Sequence, residues 1–206
     1  MKDRLLYLLR HGEIDTGGKK RFIGQIDLPL NETGKLQARQ LQLEFSGFRV
    51  GGIYCSDLQR SRVTAETIAV KHRVQPVIRA DLREINLGEW EGMPFDEVRR
   101  RFPAEFEQRG REIATYHLPG GESFQDCQDR VVAALEDILA ASKGNLIIVG
   151  HAGVNRVLLS YMLGMPTENI FRINQDYGCI NLIGFERGGF RLKTLNRTSR
   201  MVAVLE

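Results

Sequence analysis

The chain has 206 residues, of which 42% are hydrophobic and 27% charged, and its 29 basic and 26 acidic side chains leave a formal charge of +3. This composition is typical of a soluble globular protein and excludes collagen-like, disordered and disulfide-framework classes. The longest apolar stretches, such as residues 146–149, are far shorter than the roughly 20 residues that cross a bilayer, and the N-terminus lacks a signal peptide's apolar segment. We therefore expect a cytoplasmic protein.

The cysteines and the charge balance narrow the class further. The three cysteines, Cys55, Cys127 and Cys179, are odd in number and far apart, so neither a disulfide framework nor a zinc knuckle is expected. An excess of three positive charges is weak support for nucleic-acid binding. The basic clusters at residues 19–21 and 99–101 are not interleaved with stacking aromatics, so nucleic acid is not an expected partner.

The first predicted elements are a strand and a helix. Residues 5–9 form a nearly continuous apolar run with no room for a helix before the next glycine, which indicates a strand buried on both faces. Residues 31–45 have helical spacing, with Asn31 or Thr33 as the cap. The apolar positions of this helix are Leu36, Leu41 and Phe45.

The alternation of strands and helices continues to the end of the chain. The remaining predicted strands cover residues 52–55, 74–78, 145–149, 179–185 and 190–195, the last two forming a hairpin around Gly188 and Gly189. The remaining predicted helices cover residues 57–71, with Ser56 or Asp57 as the cap, 94–109 with a break at Pro103, 121–142 and 153–163. This order predicts a three-layer α/β/α fold whose mainly parallel sheet carries helices on both faces. No internal repeat or linker interrupts it, so we expect a single domain over residues 1–206 with a small helical excursion at about 94–120.

Two of these strands end in similar polar segments. The first strand ends in Arg10-His11-Gly12-Glu13, and the strand at 145–149 ends in Gly150-His151-Ala152-Gly153. Ligands of such folds bind beyond the carboxyl ends of the strands, so two of only four histidines are expected at one site. His72 and His117 lack such a context and are expected to be structural.

Several further motifs follow the first histidine in a fixed order. They are Arg21-Phe22-Ile23-Gly24-Gln25, Ser56-Asp57-Leu58-Gln59-Arg60, Leu82-Arg83-Glu84, Gly88-Glu89-Trp90-Glu91-Gly92, Pro119-Gly120-Gly121-Glu122-Ser123 and Gly150-His151. With these motifs the chain resembles the histidine phosphatase superfamily, in its phosphoglycerate-mutase-like branch, from residue 4 to about residue 185. A lone Arg-His-Gly would be a weak signal, whereas the ordered series is specific.

The resemblance implies a role for each catalytic position. His11 matches the family's nucleophile, and Arg10, Arg60 and His151 match the groups that hold the phosphoryl oxygens. A neutral imidazole attacks through one ring nitrogen when a hydrogen bond fixes the other, and the glycine loop after His11 is expected to supply a carbonyl for it. Glu84 matches the general acid that protonates the departing alkoxide.

Other positions are assigned to contacts with phosphate or substrate, or remain as alternatives to the assigned catalytic residues. Gly24 and Gln25 match phosphate-facing positions, and Thr16 and Ala152 are further expected contacts to phosphate or substrate. The chain departs from the common pattern at Ile14 and Gly17, where many relatives carry a hydroxyl residue and an asparagine. Arg62 competes with Arg60 but lies about 200° around the same helix, and Glu89 and Glu91 are second choices after Glu84.

The resemblance also ranks the possible functions. The interval from Glu84 to His151 is only 67 positions, which is short for the insertion that mutases of the superfamily carry. We therefore expect a metal-independent phosphomonoesterase, without cofactor, that acts on a small phosphate ester through a phosphohistidine, with α-ribazole 5'-phosphate as the candidate substrate. The alternatives are a phosphoglycerate mutase and a non-catalytic phosphate-sensing or protein-binding relative. A homodimer through the edge of the C-terminal hairpin also stays open.

Overall fold

The strands form one six-stranded mixed sheet in a computed structural model that describes residues 4–186 and 189–198. They are β1 (Arg4–Arg10), β2 (Gly52–Cys55), β3 (Pro76–Ile78), β4 (Leu146–Gly150), β5 (Ile180–Glu186) and β6 (Gly189–Arg197). Their order across the sheet is β3-β2-β4-β1-β5-β6. The first four in this order are parallel, and β5 and β6 add an antiparallel hairpin at one edge. Gly188, which the sequence analysis placed in the hairpin turn, lies outside the described residues.

Helices cover both faces of this sheet. They are α1 (Glu32–Phe45), α2 (Gln59–Ala69), α3 (Phe95–Arg101), α4 (Pro103–Arg111), α5 (Phe124–Ala141) and α6 (Ala152–Leu163). Alternate residues of β1 point to opposite faces, as strand geometry requires. Leu6 and Leu8 join the core beneath α5 and α6, whereas Tyr7 and Leu9 join the core beneath α1 and α2. The predicted three-layer α/β/α fold is thus confirmed.

Some local predictions were wrong. Leu36 was expected on the buried face of α1, but it is 50% exposed, and the small residues Gly34 and Ala38 make the contact instead. Asn31 caps this helix as expected, its side chain accepting a hydrogen bond from the N–H of Gly34. Helix α2 begins at Gln59 without a side-chain cap, because Ser56 and Asp57 are engaged elsewhere. Three short 3-10 turns, Ala80–Leu82, Gly88–Trp90 and Thr167–Arg172, were missed.

The excursion between β3 and α5 consists of α3 and α4, which break at Pro103 as predicted. Its attachment to the rest of the fold is apolar and aromatic. Val98 is fully buried, and the rings of Phe102 and Phe106 stack on Trp90 with centroids 6.4 and 6.2 Å away. These contacts hold the excursion beside the 3-10 turn that contains Trp90.

The sheet register brings distant strand ends together. Strands β1 and β4 are parallel neighbours with Arg10 opposite Gly150, so His11 and His151 leave the same edge side by side. On the other side of β4, Cys55 lies opposite Val149, which places Ser56 beside the same edge. None of the helices in the described ranges combines the length and apolarity that a membrane span needs.

Candidate active site

The His11 ring is buried and held in one tautomer. Its Nδ1 lies 2.7 Å from the carbonyl oxygen of Gly12. A carbonyl only accepts hydrogen bonds, so Nδ1 carries the proton and Nε2 keeps its lone pair. Burial, reinforced by the positive charges of Arg10 and Arg60, holds the pKa of His11 well below its ordinary value. The imidazole is therefore neutral near pH 7, and the predicted carbonyl from the glycine loop is confirmed.

His151 stands next to His11 and is oriented by a serine. The two ring centroids are 5.1 Å apart, and the rings are tilted by 59°. Its Nε2 lies 2.8 Å from the hydroxyl oxygen of Ser56, while its buried Nδ1 has no hydrogen-bond partner among the described residues. Burial, together with the charge of Arg60, keeps the pKa of His151 well below its ordinary value, so this ring is also neutral.

Arg10 is fixed at the end of β1 by a backbone carbonyl and an aromatic face. Its Nη1 donates to the carbonyl oxygen of Gln175 at 2.6 Å, and its guanidinium carbon lies 3.6 Å from the ring centroid of Tyr177. Gln175 is itself fixed, because its side-chain oxygen accepts hydrogen bonds from Asn155 at 3.0 Å and Asn181 at 2.9 Å. This buried amide network connects the position of Arg10 to the β5 strand and α6.

Arg60, the second residue of α2, is only 1% exposed. Its two terminal nitrogens donate to the carbonyl oxygens of Gly24 at 2.5 Å and Ile26 at 2.6 Å. Both partners are neutral, so these contacts fix the guanidinium without cancelling its charge. Burial lowers the pKa of Arg60, although an arginine remains protonated in proteins. The competing Arg62 points away from the site and pairs with Glu66 across 3.7 Å, and its side chain is 43% exposed.

The carboxylate of Glu84 is held at the N-terminus of α6. It accepts hydrogen bonds from the backbone N–H groups of Gly153 at 2.9 Å, Val154 at 3.1 Å and Ile85 at 3.0 Å. A Cβ atom at Gly153 would lie 2.5 Å from a Glu84 carboxylate oxygen, so only glycine allows this approach. The helix that begins beside His151 therefore also fixes the predicted general acid.

Comparison with known proteins identifies the family. The model of the histidine phosphatase superfamily, branch 1, matches residues 6–198. The chain belongs to this superfamily. It is 28% identical to "Phosphoserine phosphatase 1" of Hydrogenobacter thermophilus over 95% of this chain and 93% of that protein. It is 34% identical to "Probable phosphoglycerate mutase GpmB" of Escherichia coli over 78% of this chain and 75% of that protein. The solved α-ribazole phosphatase of Shigella flexneri is 26% identical and superimposes with a TM-score of 0.83 over 94% of this chain and 96% of that one.

A cavity of about 620 Å³ opens onto the predicted site of this histidine phosphatase. Its lining contains four of the five predicted catalytic residues, and Thr16 and Ala152 as predicted contacts. The lining includes Arg10, His11, Ile14, Arg60, Glu84 and Arg156. Among the described residues, no group of three or more His, Cys, Asp or Glu side chains is placed to hold a metal ion.

Gly24 and Gln25 are placed differently from Thr16 and Ala152. They are not among the described residues that line the cavity, and their N–H groups donate to the carboxylate of Glu91 at 3.1 and 2.6 Å. The side-chain amide of Gln25 donates to the carbonyl oxygen of Glu84 at 3.1 Å. In this structure the two residues support Arg60 and Glu84, and direct contact with phosphate stays a prediction for them.

Among the lining residues that the sequence did not assign to the site are Lys19, Lys20, Arg156 and Tyr177. The lysines are exposed, whereas Arg156 is half-buried and its Nε donates to the carbonyl oxygen of Ile173 at 2.8 Å. A signal for Arg156 was available, because it lies four residues after Ala152 on α6 and so shares its face. Ile14 gives the cavity an apolar wall.

Proposed function

We propose that this histidine phosphatase hydrolyses a small phosphate monoester through a phosphohistidine at His11, without a metal ion. One observation carries the proposal. Five buried side-chain nitrogens lack a hydrogen-bond partner among the described residues, and three of them, Arg10 Nε, Arg60 Nε and His151 Nδ1, belong to the side chains predicted to hold the phosphoryl oxygens. Buried donors are rarely left unpaired, and phosphoryl oxygens are the acceptors that match them.

The first half of the reaction transfers the phosphoryl group to His11. The lone pair of Nε2 forms a bond to phosphorus while the ester P–O bond breaks. The electron pair of that bond goes to the leaving oxygen, and Glu84 supplies the proton that makes it a neutral alcohol. Each charge-assisted hydrogen bond from the surrounding side chains contributes about 1.5 to 3 kcal/mol, so the two arginines and His151 lower the barrier substantially.

The second half restores the enzyme. The Glu84 carboxylate takes a proton from water, whose oxygen forms a bond to phosphorus as the P–N bond breaks. Inorganic phosphate leaves, and His11 recovers its Nε2 lone pair. For His151 to donate to a phosphoryl oxygen, its proton must be on Nδ1, and Nε2 then accepts from the Ser56 hydroxyl group.

We propose α-ribazole 5'-phosphate as a candidate substrate, supported by the similarity to the Shigella enzyme and by the apolar wall at Ile14. A phosphorylated amino acid such as phosphoserine is a second candidate. It is supported by Lys19, Lys20 and Arg156, three of the four cations in the cavity lining beyond the two arginines assigned to phosphate, because cations suit a carboxylate beside the phosphate group.

The decisive experiment measures phosphate release by the purified protein in excess EDTA. The substrates are p-nitrophenyl phosphate, α-ribazole 5'-phosphate, phosphoserine and 3-phosphoglycerate, the last with and without 2,3-bisphosphoglycerate. We expect hydrolysis and an acid-labile phosphoenzyme, both absent in His11→Ala. Labelling that persists in His11→Ala would contradict the nucleophile assignment, isomerisation of 3-phosphoglycerate without phosphate release would favour a mutase, and no turnover of any ester would favour a non-catalytic relative.

A further inference from the structure

The carboxylate of Glu91 is unusually well satisfied by backbone groups. Its oxygens accept hydrogen bonds from the N–H groups of Gln25 at 2.6 Å, Gly24 at 3.1 Å, Leu87 at 3.2 Å and Ile26 at 3.5 Å. Four donors from two separate segments therefore meet at one half-buried carboxylate. Glu91 is not among the described residues that line the cavity, so its carboxylate does not act on the substrate directly.

The same loop holds Arg60 from its other side. The peptide unit between Gly24 and Gln25 gives its N–H to Glu91 at 2.6 Å and its carbonyl oxygen to the Nη2 of Arg60 at 2.5 Å. The carbonyl oxygen of Ile26 accepts from Nη1 at 2.6 Å. One peptide plane thus joins a carboxylate to a guanidinium, and hydrogen bonds in such a chain polarise one another.

The loop can take this position only with glycine at residue 24. A Cβ atom there would lie 2.3 Å from Oε1 of Glu91 and 2.3 Å from the carbonyl oxygen of Ile85. Both contacts are far inside van der Waals distance, so the carboxylate and the loop have been brought as close as a bare backbone permits. Arginine has large rotamer freedom, and the position of Arg60 therefore depends on the two carbonyls that this loop presents.

We propose that Glu91 is a positioning residue that acts through the peptide of Gly24 and Gln25 to hold Arg60 at the phosphoryl group. The inference rests on the proposed function, because it takes Arg60 as a phosphate ligand. Glu91 shares the Gly-Glu-Trp-Glu-Gly segment with Glu89, and the sequence alone left both as rivals to Glu84 for the acid. The contacts give Glu91 a different role from acid catalysis, because its carboxylate holds the Gly24–Gln25 peptide and this peptide holds the guanidinium of Arg60.

The test compares Glu91→Gln with Glu89→Gln. The two variants make the same change two residues apart, and the side chain of Glu89 is exposed. The readouts are kcat/KM with p-nitrophenyl phosphate, the inhibition constant of orthovanadate as a mimic of the transition state, and the urea midpoint of unfolding. We expect Glu91→Gln to weaken turnover and vanadate binding by about tenfold to a hundredfold, by analogy with the loss of a residue that supports a metal ligand. Glu89→Gln should stay within about twofold, as is usual for surface changes.

A double-mutant cycle separates positioning from a general structural role. In an Arg60→Ala background, Glu91→Gln should reduce vanadate binding by less than about threefold, because the residue through which it acts is gone. Losses that multiply in the double variant would overturn the proposal, as would a Glu91→Gln variant that changes only the urea midpoint. If Glu91→Gln does not fold, Glu91→Asp replaces it in the double-mutant cycle, because it keeps the charge on a shorter side chain. Losses of vanadate binding that multiply in the Glu91→Asp, Arg60→Ala double variant would again refute the coupling. A wild type that binds vanadate, measured by titration, but hydrolyses no ester would contradict the proposed function while the coupling between Glu91 and Arg60 is still measured.

Discussion

Replacing Ser56 by alanine should remove the hydrogen bond that fixes the tautomer of His151 in the site. The Ser56 hydroxyl oxygen lies 2.8 Å from His151 Nε2 and accepts a hydrogen bond from the N–H of Leu58 at 3.3 Å. Ser56 and His151 are both fully buried. Without the hydroxyl group, nothing favours the tautomer of His151 that presents a proton on Nδ1.

The size of the effect follows from these contacts. Leaving one buried polar group unpaired costs about 1 to 3 kcal/mol. Because the contact to Leu58 is long, we assign most of the loss to His151 and expect the free energy of unfolding to fall by about 2 kcal/mol. If a similar amount is lost when phosphate binds, kcat/KM falls by about tenfold to thirtyfold, since about 1.4 kcal/mol corresponds to a factor of ten.

Ser160→Ala is the matched control for this prediction. Ser160 is equally buried, and its hydroxyl group donates to the carbonyl oxygen of Met165 at 2.5 Å without touching either histidine. Urea unfolding should show comparable destabilisation of both variants, whereas phosphate release and vanadate inhibition should be impaired only in Ser56→Ala. The reasoning is refuted if the two variants lose stability and activity in the same proportion, because Ser56 would then only support the fold.

Two further predictions concern Glu84 and His11. Glu84→Gln should reduce kcat/KM, which reports the first phosphoryl transfer, by about a hundredfold or more for alkyl phosphates and much less for p-nitrophenyl phosphate, because p-nitrophenolate leaves without a proton. Equal losses of kcat/KM on both esters would rule out a general acid, whereas kcat also contains the later step in which Glu84 acts as a base. The pKa of folded His11 lies well below its ordinary value, so below about pH 6.5 the unfolded chain binds a proton that the folded chain does not. The free energy of unfolding should therefore decrease as the pH falls, with His11 contributing a slope that approaches about 1.4 kcal/mol per pH unit. Urea titrations between pH 6 and 5 should show that the free energy of unfolding changes with pH less steeply in His11→Ala than in the wild type, by that amount. Identical slopes in the two proteins would mean that folded His11 is already protonated in this pH range.

Long apolar runs made much of the fold predictable. The apolar runs of β1 and β4 are too short for helices and end in glycine-containing polar segments. Such runs are typical of buried strands in a parallel sheet, whose carboxyl ends lie at one edge, so both histidines could be expected there. The register of Arg10 opposite Gly150 confirms that expectation. The 3-10 turns were not predictable, because three-residue turns such as Gly88–Trp90 carry no periodic signal.

The wrong predictions share a physical cause, which is that the deciding partner is distant in sequence. Ser56 carries a good capping side chain, but its hydroxyl group is bound to a histidine 95 residues away. Leu36 fits the apolar spacing of α1, yet Gly34 lies against the catalytic loop so closely that a Cβ at Gly12 would come within 2.4 Å of its carbonyl oxygen. Glycine gives no hydrophobic signal, so a backbone contact of this kind cannot be read from a pattern of side chains.

The lining of the cavity divides into two parts with different tolerance for change. Its catalytic end is built from strand ends and a helix start, and backbone groups that no substitution removes hydrogen-bond to Arg10, His11, Arg60 and Glu84. Its outer rim, by contrast, is made largely of side chains on the loop around Thr16, Lys19 and Lys20, where both lysines are exposed. Mutation can therefore alter the rim while leaving the phosphoryl chemistry intact. In such a fold, substitutions in one surface loop can change which substrate is accepted. Directed evolution of this enzyme should therefore begin with the loop around Thr16, Lys19 and Lys20.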